Sequence, residues 1–406
     1  MYVDADLHIH SRFSMATAKS MTLENIAKGA SQKGVRLVGT SDCLHPVWLQ
    51  EIRAMDRIDD GTFEINDTRF ILTTEVEDMF RVHHPLLFPS LDSVDKCVSI
   101  LEKKGQNLSS DGRPKLRMTG EEIAHLATDV DALIGPCHAF TPWTALYAYH
   151  ESLEACYGEM SHAISFVELG LSAESDYADR ISELGRLTFL TNSDAHGPSP
   201  NRIAREFNRY EVRDMTFDEI RLAILRKDGR KPILNIGLPP QEGKYNETAC
   251  IRCYTHYDLQ TSIRLNWKCS NCGKRIKKGV RDRVEQLATS EEPKPPSHRP
   301  PYVRLIPLAE IISRAIGKGV NTKSVKTIWE SLLTQFGTEI TILVDTPLDE
   351  LEGKTENLVF RAIRAFRKGE VGFVPGGGGK YGEIRLPWEI VEELPKGPRQ
   401  KGLMDF

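Results

Sequence analysis

DLHIHS, residues 6–11, is the stretch from which the fold can be read, because it sets His8 and His10 two positions apart. On an extended strand, residues i and i+2 point to one face, so imidazoles at this spacing can chelate one cluster. The same spacing returns far along the chain as Asp194-Ala195-His196. Between the two, short apolar runs alternate with helical patterns, the rhythm of a parallel sheet or barrel wound with helices. The predicted strands cover 35–39, 70–74, 132–135, 166–169 and 187–190, and a helix over 23–33 is capped by Thr22. Asp42, Glu75, His138, Ser172 and Asp194 fall at or just beyond the carboxyl ends of those strands. In β/α barrels that rim is where active sites are built.

The residues gathered there are metal-ligand types: His8, His10, Asp42, Glu75, His83 or His84, His138, Asp194 and His196. Mixed nitrogen and carboxylate donors suit Zn²⁺, Mn²⁺ or Fe, and a central carboxylate can bridge two ions. Two such ions roughly 3.5–4 Å apart stabilise the attacking and leaving oxygens of an in-line phosphoryl displacement. Ten of the twelve histidines precede residue 200, unlike histidines scattered over a surface.

The segments DLHIHS (6–11), GTSD (39–42), TTEVE (73–77), VHHPLLF (82–88), GPCHAF (135–140) and NSDAH (192–196) occur in the order seen in the polymerase-and-histidinol-phosphatase (PHP) domain family, which the first 240 residues resemble. With GTSDCLHPVWL (39–49), VELGLS (167–172), the extended NSDAH segment to Tyr210 and the modules that follow, the chain resembles the mainly archaeal endonuclease Q family over most of its length. The resemblance implies an α/β fold: a PHP-type distorted (β/α)7 barrel, then a zinc ribbon and a helical C-terminal domain with a helix-hairpin-helix-like element. It implies metal ligation by His8, His10, Glu75, His83, His138, Asp194 and His196, with Asp42 among them, and catalytic roles for Glu75, Asp194 and His196. His83 fits the family's apolar-then-His step better than His84, which stays open as the alternative. Many PHP domains have Asp-His where this chain has Asp42-Cys43, which leaves two or three ions (Zn²⁺, Mg²⁺ or Mn²⁺) open, His45 being the nearest substitute.

The implied activity is incision of double-stranded DNA on the 5′ side of a flipped deaminated base such as hypoxanthine, uracil or xanthine, or of an abasic site, leaving 3′-hydroxyl and 5′-phosphate ends. A phosphatase acting on small phosphate esters, or a catalytically silent DNA-binding adaptor, are the alternatives. Aromatic walls suit a flipped base. The loop 139–150, directly after His138, supplies Trp143 among others, and Ser172 is the candidate to read the base edge.

Composition agrees with an ordinary folded protein: 406 residues, 40% hydrophobic and 27% charged, long enough for two or three domains. No apolar run long enough for a membrane span occurs, and the acidic, histidine-bearing start lacks the pattern of a signal peptide, so an intracellular, cytoplasmic setting without membrane attachment is expected. Residues 1–240 hold 26 Lys+Arg against 36 Asp+Glu, while 241–406 hold 27 against 21. An acidic catalytic body joined to basic modules that meet a polyanion follows from that asymmetry.

The expected divisions are a barrel over 1–240, a zinc module over 241–288, a stiff proline-rich linker over 289–301, a helical DNA-binding domain over 302–395 and a tail over 396–406. Cys250-x2-Cys253 and Cys269-x2-Cys272, separated by 15 residues, fit a four-thiolate Zn²⁺ site of ribbon type. The basic stripe that follows, with Lys274, Arg275, Lys277 and Lys278, is suited to phosphate neutralisation. Residues 317–351 resemble a helix-hairpin-helix element, in which Gly317-Lys318-Gly319 would present backbone N–H groups to a DNA phosphate; a helix-capping glycine is the other reading. PGGGGK (375–380) lacks the Ser or Thr of a P-loop and reads as a hairpin turn. Gln400, Leu403 and Phe406 resemble the motif by which repair proteins dock on the sliding clamp (PCNA), a short apolar plug for a hydrophobic groove.

Overall fold

The computed structural model describes residues 1–389. Its strands are β1 (Tyr2–Asp6), β2 (Leu37–Gly39), β3 (Asp56–Arg57), β4 (Thr62–Ile65), β5 (Thr68–Glu77), β6 (His83–Phe88), β7 (Leu133–Ile134), β8 (Phe166–Glu168), β9 (Thr188–Leu190), β10 (Phe207–Glu211), β11 (Lys231–Gly237), β12 (Ala249–Cys250), β13 (Ile276–Lys277), β14 (Tyr302–Arg304), β15 (Gly372–Val374) and β16 (Glu383–Arg385). The five strands predicted in the barrel region are all present, each within a few residues of its expected bounds. The predicted helix is Leu23–Lys33, with the Thr22 side chain accepting from the Asn25 N–H.

Seven strands close a ring. β1, β2 and β5 run parallel, β6 turns back antiparallel to β5, and β7 pairs antiparallel with β6. Ser165 N–H to Ile134 C=O and Glu168 N–H to Pro136 C=O carry the ring to β8, which lies parallel to β9. The circuit returns to the end of β1 where Asp194 N–H donates to His8 C=O and His10 N–H to Ala195 C=O. The reversed β6 is what distorts an otherwise parallel barrel. Outside the ring, β3 and β4 flank the first half of β5, while β10, β11 and β14 extend the sheet beyond β1.

The interior is layered. Ala5, Leu37, Ile71, Leu87, Leu133, Phe166 and Leu190, one from each strand of the ring, form a single buried apolar layer, capped below by Phe217, Ile220 and Ile224 of the helix Phe217–Leu225. Because a strand repeats every two residues, the inward face next presents Glu75 two steps beyond Thr73 and four beyond Ile71 on β5, His83 on the reversed β6, and Glu168 on β8. The apolar floor therefore gives way to buried polar groups at the opposite rim.

The later modules are tied to this body. Arg299, in the expected linker, pairs with Asp179 at 2.9 Å, both side chains buried, and donates to the Leu187 carbonyl. β14 then pairs in parallel with β11. The proline-rich stretch is thus a packed strap, and the expected boundary at 302 falls inside the barrel's own sheet. The glycine-rich turn between β15 and β16 is a hairpin, as expected; its Gly376 and Gly379 N–H groups donate to Gln241 and Lys244 carbonyls, which leaves neither for a phosphate. The helices Leu308–Ile316 and Lys323–Phe336 meet the barrel through Glu339, which takes Lys33 at 2.6 Å, the Leu308 N–H at 2.8 Å and Trp329 Nε1 at 3.0 Å.

Glu339 is fully buried and Lys33 nearly so. Removing one partner strands the other charge, so Glu339→Ala is expected to lower stability by about 3–5 kcal/mol. A thermal melt checks this, and a Lys33→Met/Glu339→Leu pair recovers most of the loss if the cause is the stranded charge.

Candidate metal centre

Glu75 is the hub of the rim. Its Oε1 lies 2.7 Å from His83 Nδ1, 3.1 Å from His138 Nε2 and 3.7 Å from His8 Nε2. Its Oε2 lies 3.4 Å from His10 Nε2 and 3.1 Å from Arg113 Nη1. Asp194 Oδ1 closes the other side, 3.0 Å from His10 Nε2, 3.4 Å from His196 Nε2 and 3.9 Å from His8 Nε2. Three overlapping donor groups result, Glu75/His83/His138, His8/His10/Asp194 and His8/Glu75/Cys137, each with its ligand atoms within 4.8 Å of one another. Glu75 and His8 link them.

Four of the five imidazoles are aimed by a bond at the far nitrogen, His138 being the exception. His8 Nδ1 pairs with Glu168 Oε2 at 2.9 Å, His83 Nε2 with Glu77 at 3.1 Å, His10 Nδ1 with Ser14 at 3.2 Å and His196 Nδ1 with Thr17 at 2.8 Å. Glu168 also accepts the His138 N–H and the Asn192 amide, so one buried carboxylate fixes parts of three segments. Asp42, His138 and Asp194, each just past a strand end, take left-handed φ angles of 46°, 28° and 48°. Non-glycine residues held there cost about 1–3 kcal/mol each and cluster at functional sites. Gly170 makes the sharp turn at His138 feasible: its φ is 77°, and a Cβ would come within 2.6 Å of His138 Cβ.

The donor set fits divalent cations. His8 Nε2 and His83 Nδ1 are buried, face Glu75 and have no hydrogen-bond partner. The charges agree. Burial disfavours a proton on His8, yet Glu168, Glu75 and Asp194 outweigh it and raise its pKa to about 10; His10, under opposing burial, rises to about 9 beside Asp194, Asp42 and Glu75. Burial likewise opposes ionisation of Glu75, but His83, His138 and His8 hold it well below the usual carboxylate range. Positive charge is what this pocket is built to receive.

Among the residues expected from the sequence, His8, His10, Glu75, His83, His138, Asp194 and His196 come together. His84 does not: adjacent strand residues point to opposite faces, and its ring lies against Tyr157 on the outer side of β6. Asp42 stands one step back, its Oδ2 taken by Ser11 N–H, Ser11 Oγ and Ser14 Oγ and its Oδ1 3.7 Å from His10 Nδ1. His45 caps the helix Pro46–Arg53 through the Trp48 N–H, so it does not substitute for the missing family histidine, and Cys43 is buried in the apolar core. Two participants were not anticipated. Arg113 comes from a loop with no pattern to mark it; Glu168, a lone acid inside the apolar run 166–169, carried a signal that period-2 reading from Phe166 could have caught.

In the second module, Cys250 and Cys272 Sγ lie 3.4 Å apart, Cys253 and Cys269 Sγ 3.5 Å apart, and all four sulfurs within 4.8 Å. With only Ile276 and a few partly buried neighbours as its own apolar core, this element suits stabilisation by a bound Zn²⁺. The basic stripe divides. Lys277 donates to the Pro142 carbonyl and sits 3.6 Å over the Trp143 ring, Lys278 reaches Gln286 and Trp267, and Arg283 holds the Tyr147 and His150 carbonyls. Lys274 and Arg275 stay exposed. Between module and barrel loop lies a pocket of about 270 Å³ lined by Phe140, Tyr147, Tyr149, Lys277 and Arg283. Trp143 stands beside it, 40% exposed, against Tyr245. Ser172 is half-buried, its hydroxyl against Gly243. Gly317 takes φ 63° as the C-cap of Leu308–Ile316, the Lys318 N–H returning to the Ser313 carbonyl. Gln400, Leu403 and Phe406 lie outside the described residues.

Residues 307–370 match the family model of the MJ0043 C-terminal domain. Protein MJ0043 of Methanocaldococcus jannaschii is 46% identical over 260 residues, 63% of this chain and 32% of that longer protein, so the matched stretch spans about a third of it. The structure is similar, with 52% identity and a TM-score of 0.92, to the lesion-specific endonuclease PfuEndoQ of Pyrococcus furiosus, covering 97% of this chain and 98% of that one. It is similar to the same degree, TM-score 0.91, 52% identity, 98% and 99% coverage, to an endonuclease Q solved with a 27-mer duplex carrying an abasic lesion at the active site.

Loading the barrel site must displace protons, since ligating imidazoles need their lone pairs. With His8 and His10 raised to about 10 and 9, metal affinity is expected to climb with pH from neutral toward 9, and calorimetric titration in two buffers of different ionisation enthalpy to register proton release. Affinity flat over that range contradicts the assignment. Glu168→Ala, which frees the His8 ring, is expected to weaken metal binding about 10–100-fold while leaving the fold intact by circular dichroism.

Proposed function

This chain belongs to the endonuclease Q family, and on that premise we propose that it is a metal-dependent endodeoxyribonuclease that incises double-stranded DNA at a damaged nucleotide. The observation that carries the reading is Glu75, whose Oε1 faces His83, His138 and His8 and whose Oε2 faces His10, in a chain alike over nearly its whole length to a lesion-specific endonuclease. His8, His10, Glu75, His83, His138, Asp194 and His196 hold two or three divalent cations, Zn²⁺, Mg²⁺ or Mn²⁺, with Asp42 steering His10 from behind. Bound there, such ions supply Lewis acidity at the phosphate and lower the pKa of the attacking water.

The chain's own groups do the rest. Glu168, Glu77, Thr17 and Ser14 hold the ring nitrogens in place before substrate arrives, so no reorganisation accompanies reaction. Arg113, the guanidinium beside Glu75 at the edge of the cluster, meets the incoming phosphate charge. Asp194 and His196, on the partly exposed side, lie where a strand can reach them. The proposed lesions are deaminated bases such as hypoxanthine or uracil, with xanthine and abasic sites beside them. Their weak pairing lowers the cost of extrusion. Trp143 and Ser172 flank the space for the extruded nucleotide, and cleavage falls on its 5′ side. Lys274, Arg275 and, in the Gly317-Lys318-Gly319 turn, the Lys318 side chain grip duplex phosphates, the Gly317 and Lys318 N–H groups being spent on the helix cap; Lys277 and Lys278 shape the barrel-facing wall, and Gln400, Leu403 and Phe406 dock the enzyme on a sliding clamp.

A labelled duplex with one deoxyinosine, incubated with Mg²⁺ or Mn²⁺ beside an undamaged duplex, tests the reading. Incision only of the damaged strand, 5′ to the lesion and abolished in Asp194→Asn, is expected. Turnover of a small phosphate monoester without incision points to a phosphatase, and duplex binding with neither activity to an adaptor. Lys318→Ala is expected to weaken binding equally for damaged and intact duplex and to lower the slope of log affinity against log salt by about 1.

A further inference from the structure

On the outer face of β6, opposite the Glu75 cluster, His84 Nε2 lies 3.4 Å from Asp78 Oδ2, and one donor atom each from Asp78, His84 and Cys156 fall within 4.8 Å of one another. Asp78 is 3% exposed, His84 0% and Cys156 6%. The three come from separate segments: the turn after β5, the strand β6, and the short helix Leu153–Tyr157.

Neither Asp78 Oδ2 nor His84 Nε2 has a hydrogen-bond partner. A buried polar atom left so costs about 1–3 kcal/mol, more when charged. The other atoms of both side chains are spent on orientation. Asp78 Oδ1 accepts the Phe80 and Val82 N–H groups at 2.8 Å each, and His84 Nδ1 pairs with Tyr157 Oη at 2.8 Å. With the ring proton on Nδ1 toward Tyr157, Nε2 turns a lone pair toward a carboxylate oxygen and a sulfur, the arrangement of a histidine poised as a metal ligand. An O–N separation of 3.4 Å matches a tetrahedral edge, about 3.3 Å for bonds of 2.0–2.1 Å. The backbone of Gly120 roofs the cluster, where a Cβ would come within 2.8 Å of Cys156 Sγ.

We propose that Asp78, His84 and Cys156 form a further metal site, distinct from the barrel cluster and the four-cysteine module, that takes one zinc-class divalent cation through Oδ2, Nε2 and Sγ. The thiolate and imidazole select against Mg²⁺ and Ca²⁺, which prefer all-oxygen shells. Uptake converts the Cys156 thiol to thiolate with release of one proton, and a water completes the fourth position. The ion clips the back of β6 to its neighbours and so fixes the strand whose front face carries His83. The inference is independent of the nuclease reading, because none of the three side chains faces Glu75.

Crystals of the full chain grown with Zn²⁺ and measured on both sides of the zinc absorption edge test it without any substitution. An anomalous peak about 2.0–2.3 Å from the three atoms is expected; a peak at the four cysteines with none at Asp78, His84 and Cys156 overturns the proposal. In solution, elemental analysis of Zn²⁺-equilibrated, desalted protein is expected to find one equivalent fewer in Cys156→Ser and in His84→Gln than in the parent. Equal counts in folded variants overturn it as well.

Discussion

The ionised carboxylate of Glu75, buried without exposure at the mouth of the barrel, is the constraint around which the molecule is arranged. A lone charge in such a place costs far more than a fold can carry unless it is paired and hydrogen-bonded. Here His8, His10, His83, His138 and Arg113 surround it, drawn from the segment after β1, from β6, from the loop between the helices Leu91–Lys103 and Gly120–Asp129, and from the loop after β7. Closing the ring of strands therefore brings together both the site and the groups that make its central charge tolerable.

A second circle of polar groups supports the first. Glu168 joins His8, His138 and Asn192, and Asn192 in turn accepts the Leu7 N–H, so β1, β8 and the end of β9 are tied where the barrel has its fewest ladder bonds. Asp6 does similar work for the segment that carries Asp194, accepting Ser193 and Ala204 N–H groups. Because these carboxylate and amide bonds form together only in one arrangement, the imidazoles they hold are preorganised by the fold.

The smaller modules read differently once they are seen as attachments. Part of the basic charge after the cysteine pairs is spent inside the molecule: Lys277 on Trp143 and Arg283 on the carbonyls of the same loop join the ribbon to the segment that follows His138. Lys33 and Glu339 do the same for the helical region. Ribbon and helices are therefore each fastened to the barrel by side chains that a free charged surface would leave to solvent.

The sequence by itself carried the strand and helix pattern of the barrel region, the His8-x-His10 and Asp194-x-His196 pairs and the two cysteine pairs. These follow from short-range regularities, the two-residue repeat of strands and the fixed spacing of thiolate ligands, which the chain cannot hide. Tertiary structure alone decided the choice of His83 over His84, because the answer depends on which face of β6 turns inward once that strand reverses against β5. It also decided that Asp42 serves His10 from behind, that Glu168 and Arg113 belong to the centre, and that 289–301 is a packed strap fixed by Arg299. Each of these rests on a partner distant in sequence, up to 160 residues for His8 and Glu168. No local pattern encodes such a pairing, since it exists only when the ring has closed.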